Sequence, residues 1–212
     1  MFPALVDAAH AIGAVQTRNL GTLGGNLITG VPSMDSGPTL IALEALVTIL
    51  GPAGRQQMPL AEFFVGPRKN VLKPDELLAE IVIPKQNLGK PAHFLKFGLR
   101  KGQALALVNV AASLWVEGDT QVCGAPRIAL GAVAPTIIRA LKAEAYLENR
   151  PITPEAMAEA GRIAVGDARP ISDFRASAEY RRDLIAVLTK RALEGAYELA
   201  KAKRLGEMQW RT

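Results

Sequence analysis

The run Thr22-Leu23-Gly24-Gly25-Asn26 is the stretch of this sequence whose residue types best suit a chemical task. Two adjacent glycines carry no Cβ, so consecutive backbone N–H groups can close around an anion as a nest. Thr22 adds a hydroxyl donor and Asn26 an amide donor, and the task served is holding a phosphate. A helix starting near Pro38 would direct its positive end toward the same pocket. Taken alone, the run equally describes a tight turn closed by a capping Asn. It matches neither the Gly-x-Gly-x-x-Gly dinucleotide fingerprint nor the Lys-Ser/Thr ending of a phosphate-binding loop.

Other reactive side chains lack company. His10 follows Ala8 and Ala9 in a helical stretch and His93 follows Pro91-Ala92, neither with a partner at catalytic spacing, so both read as structural or exposed. The single cysteine, Cys123, reads as an unactivated thiol in a loop or at a strand edge. No catalytic acid–base pair and no Cys/His metal spacing are visible, which excludes a protein-bound metal or cluster from the expectation.

The elements that must position the glycine run follow from periodicity and punctuation. Residues 3–13 place Leu5, Val6, Ala9 and Ile12 on one helical face ending at Gly13. Residues 16–38 are rich in Gly, Thr, Ser, Asn and Pro and predict a long irregular, functional loop. A short buried helix from Pro38, a strand over Val47–Leu50, a turn at Gly51-Pro52-Ala53-Gly54 and a returning strand over Arg55–Leu60 follow. The alternation Leu78–Ile83 predicts a strand stopped by Pro84, and residues 85–92 predict a linker. The domain boundary is placed there, giving residues 1–90 and 91–212.

Beyond it, His93–Arg100, Leu105–Val116 and Arg127–Val133 predict a three-stranded antiparallel sheet. Helices are expected over Ile137–Leu147, from Thr153-Pro154 to about Val165, and over Ser177–Ala202. The fold class is therefore α+β.

Composition supports a folded protein. The chain has 212 residues, 49% of them hydrophobic and 21% charged, which excludes disordered, collagen-like and coiled-coil classes. No apolar run approaches the roughly 20 residues of a membrane span, and the N-terminus lacks secretory-signal features, so a cytoplasmic location is expected. Net charge is +5, and residues 96–212 carry 18 basic against 13 acidic residues. Bases alternate with acids along the predicted helices, so a solvated or subunit-facing surface is favoured over nucleic-acid binding.

The glycine run gains meaning from its neighbours in order: Arg18-Asn19, then Pro32-Ser33-Met34-Asp35-Ser36-Gly37-Pro38, Phe63-Phe64 and Pro74-Asp75-Glu76-Leu77-Leu78. Phe97-Gly98-Leu99-Arg100, Val108-Asn109-Val110-Ala111 and Phe174-Arg175-Ala176-Ser177-Ala178-Glu179-Tyr180-Arg181-Arg182 continue the series. Across essentially its whole length the chain resembles the FAD-binding medium subunits of the molybdenum hydroxylases, the xanthine dehydrogenase and aerobic carbon monoxide dehydrogenase family. The resemblance implies part of a PCMH-type FAD-binding α/β domain over residues 1–90, followed by the family's C-terminal sheet-and-helix domain.

Residue by residue, the resemblance implies that Thr22, Leu23, Gly24, Gly25 and Asn26 hold the FAD pyrophosphate and its surroundings. Asp35 would accept hydrogen bonds from a cofactor edge, or cap a helix. Leu78 would lie against the ring system, or simply pack in the core. Lys96 would stand near the pyrimidine end of the isoalloxazine, where a cation stabilises charge on the reduced flavin, or lie solvated on the surface. The implied partners are a molybdopterin-binding large subunit and a 2Fe-2S small subunit, with electrons passing through FAD to NAD, a quinone or oxygen.

The family pattern also includes an N-terminal subdomain with a second Gly-rich loop ahead of the Arg-Asn segment, and only 17 residues precede Arg18 here. A separate chain carrying that subdomain, a truncation, and a degenerate assembly subunit are the accounts the sequence leaves open. The last defines the alternative function: a cofactor-free interaction module of the same fold.

Overall fold

The structure, a computed structural model, describes residues 2–117 and 121–204. Helix α1 (Pro3–His10) opens it with proline in the first turn, where no N–H partner is needed. Within the stretch expected to be irregular the chain instead forms α2 (Val15–Leu20) and α3 (Leu23–Ile28), while α4 (Ser36–Ala42) is the short buried helix expected from Pro38, begun two residues earlier. These helices have only six or seven residues, too few to impress a 3.6-residue period on the sequence. A side-chain cap starts α3, and burial of every residue of α4 holds that helix in place.

The chain then builds an antiparallel sheet from β1 (Leu46–Gly51), β2 (Gly54–Pro59) and β5 (Leu77–Val82), in the order β2-β1-β5. Helix α5 (Leu60–Phe63) and a small pair, β3 (Phe64–Gly66) with β4 (Lys69–Asn70), close its side. The expected linker is packed rather than loose. Asn87 and Lys90 are buried, and Asn87 Nδ2 donates to the Leu43 carbonyl at 3.0 Å while Lys90 Nζ donates to the Ala125 carbonyl at 2.6 Å.

A second antiparallel sheet follows, with β6 (Ala92–Gly98), β7 (Ala106–Glu117), β8 (Val122–Gly131) and β9 (Ile138–Arg139) in sequential order. The sheet thus has four strands where three were expected. Its last strand takes the two residues read as the start of a helix, and α6 (Leu141–Leu147) begins just after it. Helices α7 (Pro154–Val165), capped by Thr153, and α8 (Ala178–Arg204) complete the fold.

Alternation along β7 divides the interior. Val108, Val110 and Ala112 join Ile128, Leu130, Leu184, Ile185 and Leu188 in a core shared with α6, α7 and α8. Asn109, Ala111 and Ser113 lie on the opposite face, where Ala111 joins Phe94, Leu40, Ile41 and Leu43, and Ser113 Oγ donates to the Ala42 carbonyl at 2.6 Å. The period of two along a strand places one set of side chains under the helices and the other against α4. None of the described helices is long and apolar enough to cross a membrane.

Candidate functional site

Thr22 sets the geometry of the glycine run. Its Oγ1 accepts the Gly25 N–H at 2.9 Å, and its carbonyl accepts the Asn26 N–H at 3.0 Å. Residues 23–26 are therefore the first turn of α3 and not the open nest that the glycines suggested. Two donors of that turn are already spent inside the protein. The Leu23 and Gly24 amides make no hydrogen bond among the described residues, as expected of the leading N–H groups of a helix.

Asn26 completes this surface. Its Oδ1 accepts from Ser36 Oγ at 2.6 Å, which leaves the Nδ2 donor without a protein partner among the described residues. The groove beside it, of about 470 Å³, is lined by Ile12, Arg18, Leu20, Thr22, Gly25 and Asn26, among others. Arg18 spends one Nη1 hydrogen bond on the Ile12 carbonyl at 2.8 Å and keeps its positive charge at the groove wall. Leu78, on β5, lies beneath the turn: a Cβ added to Gly24 would meet Leu78 Cδ2 at 3.9 Å. The partly buried side chain of Leu78 packs against the adjoining core cluster.

Asp35 and Lys96 form a pair. Lys96 Nζ stands 2.6 Å from Asp35 Oδ2 and donates also to the Ala11 carbonyl at 2.9 Å, while Asn109 Nδ2 donates to Asp35 Oδ1 at 3.1 Å. Their side chains are 7% and 12% exposed, so Lys96 is not a solvated surface residue. Asp35 occupies the cap position of α4 but makes no side-chain cap bond; both its oxygens are committed to Lys96 and Asn109. Burial pushes its carboxyl above the ordinary aspartate range, and Lys96 and Asn109 pull it back only in part.

The eight residues singled out in the sequence thus fall into one neighbourhood. Leu78 underlies Gly24, the Asn26–Ser36 bond ties α3 to α4, and Asp35 next to Ser36 reaches Lys96. Bare glycine surface, free leading amides, the Asn26 donor and the Arg18 charge fit a phosphate-bearing cofactor with a flat apolar part. Asn109 escaped the sequence reading as a site residue. Its signal was present, since an amide between Val108 and Val110 in an apolar strand needs a partner when buried. The two histidines stay outside the site: His10 is exposed on α1, and His93 is half-buried against Gly195 of α8.

Comparison with known proteins adds to this geometry. Residues 1–86 match the family described as the FAD binding domain in molybdopterin dehydrogenase, and residues 93–196 match the CO dehydrogenase flavoprotein C-terminal domain. The chain is 33% identical to the xanthine dehydrogenase FAD-binding subunit of Escherichia coli O157:H7 over 95% of its own length and 68% of that protein's. It is 33% identical to the carbon monoxide dehydrogenase medium chain of Hydrogenophaga pseudoflava, covering 92% of this chain and 67% of the relative.

Among solved structures, carbon monoxide dehydrogenase from Hydrogenophaga pseudoflava, in a form lacking the Mo-pyranopterin moiety of its cofactor, superposes with a TM-score of 0.87 at 34% identity. That match covers 93% of this chain and 68% of the other. Quinoline 2-oxidoreductase from Pseudomonas putida 86 gives a TM-score of 0.83 at 30% identity with the same coverage.

Proposed function

Because this chain belongs to the FAD-binding subunits of the xanthine and carbon monoxide dehydrogenase family of molybdenum oxidoreductases, we propose that it carries electrons through FAD within a multi-subunit dehydrogenase. The donor is a 2Fe-2S small subunit, which is itself fed by a molybdopterin-binding large subunit. The acceptor is NAD, a quinone or oxygen. The hydroxylated substrate is selected on the large subunit, and residues 91–212 serve chiefly to pack against partners, with residues 1–90 holding the cofactor.

One observation carries this reading: the Thr22-capped turn presents the free Leu23 and Gly24 amides and Asn26 Nδ2 around two glycines that have no side chain to block close approach. Those donors would hold the pyrophosphate, and Arg18 would add charge at the same groove. FAD, when bound, supplies the redox-active ring that passes electrons singly or in pairs. The chain's own part is to orient that ring over the Leu78 side of the groove and to keep a cation, Lys96, fixed by Asp35 next to it. A fixed cation favours the charge that accumulates on reduction and costs no reorganisation at the moment of transfer.

The test is to purify the chain co-expressed with its large and small partner subunits and record the flavin absorbance bands. Stoichiometric flavin is expected. A complex of full subunit composition that shows only iron–sulfur absorbance and releases no flavin on denaturation overturns the reading and assigns the chain to assembly alone.

A further inference from the structure

Lys96, Asn109 and Gly131 occupy one rung across three strands: Lys96 pairs with Asn109 between β6 and β7, and Asn109 pairs with Gly131 between β7 and β8. Asp35, from the segment before α4, meets this rung. Asn109 is fully buried and spends both hydrogens of its amide there, on the Met34 carbonyl at 2.9 Å and on Asp35 Oδ1 at 3.1 Å. Its own Oδ1 is buried with no hydrogen-bond partner. Gly131 makes the room: a Cβ there would collide with Asn109 Oδ1.

An orphaned buried carbonyl oxygen loses its hydration without compensation, a cost that an apolar residue of similar size would avoid. The arrangement therefore sacrifices satisfaction of the acceptor to aim the donor. We propose that Asn109, seated by Gly131, is a positioning residue that holds Asp35 Oδ1 so that Oδ2 stays turned to Lys96, fixing the cation beside the flavin. The inference rests on the function proposed above for the flavin, but its first half concerns only this chain's own side chains.

The experiment compares the full chain with Asn109→Ala, Gly131→Ala and the double variant, after thermal unfolding shows which are folded. The first readout, made without flavin, is the 13C-carboxyl titration of Asp35. The second is the midpoint potential of the flavin-loaded complex. Asn109→Ala removes the donor, and Gly131→Ala keeps the amide but drives it off its seat. Both are expected to move the Asp35 titration to higher pH and the flavin potential to more negative values.

The double variant refills the emptied space with the methyl group introduced at position 131 and still lacks the donor. It is expected to behave like Asn109→Ala in both readouts. Return of the double variant to parental behaviour means a space-filling role and overturns the inference, as does an unshifted Asp35 titration in either single variant. If Asn109→Ala does not fold, Gly131→Ala and Asn109→Ser supply the same titration and decide the matter. Shifted titrations with an unchanged potential overturn the link to the flavin, whereas a parent complex that carries no flavin overturns the proposed function and leaves the titration to judge Asn109.

Discussion

Lys96 Nζ and Asp35 Oδ2 lie 2.6 Å apart although 61 residues separate them in the chain, with neither side chain more than 12% exposed. The pair joins the second sheet to the start of α4, and Lys96 extends the connection to the Ala11 carbonyl after α1. Three segments distant in sequence therefore depend on one ammonium group.

Replacing it should be costly. Lys96→Met leaves a buried carboxyl without its counter-charge, a change worth about 3–5 kcal/mol at neutral pH. The Asp35 carboxyl is already held above its ordinary range, so the folded chain binds a proton that the unfolded chain releases as pH rises through that window. Its contribution to stability falls across the window and then stays low, and Lys96→Met should stretch the window upward. Urea unfolding across pH measures this. Adding Asp35→Asn to Lys96→Met should restore much of the loss, and a double variant no more stable than the single one would contradict the account.

The two glycines of α3 should respond differently to substitution. A Cβ at Gly24 has ordinary room, 3.9 Å from Leu78 Cδ2, so Gly24→Ala should raise chain stability by up to about 1 kcal/mol through helix propensity. The same methyl obstructs close approach of a dinucleotide and should weaken FAD retention about tenfold or more, equivalent to about 1.4 kcal/mol. A Cβ at Gly25 stands 3.1 Å from Thr22 Oγ1, so Gly25→Val should break the cap and abolish flavin retention. Flavin content after gel filtration, beside a melting curve, separates the two effects; full flavin in Gly25→Val would place the pyrophosphate elsewhere.

Lys90 offers a pH test of opposite sign. Burial, with the Arg127 charge near it, lowers its ammonium to about 8, against an ordinary value of 10.5. Between about 8 and 9 the unfolded chain binds the proton and the folded chain does not, so stability should climb with pH by at most about 1.4 kcal/mol per pH unit, and above 9 the buried Cys123 thiol, which keeps a proton that the unfolded chain releases, offsets the climb. Lys90→Met should flatten that climb. An equally steep pH dependence in the variant would show that another group is responsible.

Cys123 should serve as a reporter of global opening. Its thiol is fully buried on β8, and burial pushes its pKa up to about 12. The folded chain should resist a disulfide reagent at pH 8 and react fully in denaturant, since only the thiolate attacks. Rapid labelling under native conditions would mean that β8 opens locally.

Much of this arrangement could be read from the residues. The turn at Gly51-Pro52-Ala53-Gly54, the strand stopped by Pro84 and the Thr153-capped helix α7 each carry a local signal, and each forms near its expected place. Helices α2 and α3 were hidden because Gly, Thr and Asn are poor helix formers, and only the Thr22 cap starts α3, whereas α4 was legible from Pro38 and begins two residues ahead of it. Strand β9 is two residues long and exists because β8 offers it an edge, through Ala129 with Arg139 and Leu130 with Ile138. Two-residue strands leave no periodicity to detect.

The site was legible as a set and illegible as a geometry. Resemblance brought out Asp35 and Lys96 as separate contacts, yet only the fold shows that they meet, because β6 carries Lys96 onto the face that α4 covers. Asn109 has no reactive chemistry of its own and acts only through the carboxylate that it holds.

The cross-strand rung gives folding an internal checksum. Side chains alternate between faces along a strand, so pairing β6 one residue out of step would turn Lys96 under the helices and thrust Leu95 or Phe97 toward Asp35. A misaligned chain would strand a charge in the apolar layer and fail to finish the cofactor seat. Correct threading of the sheet and readiness to accept a ligand are therefore verified by the same contact.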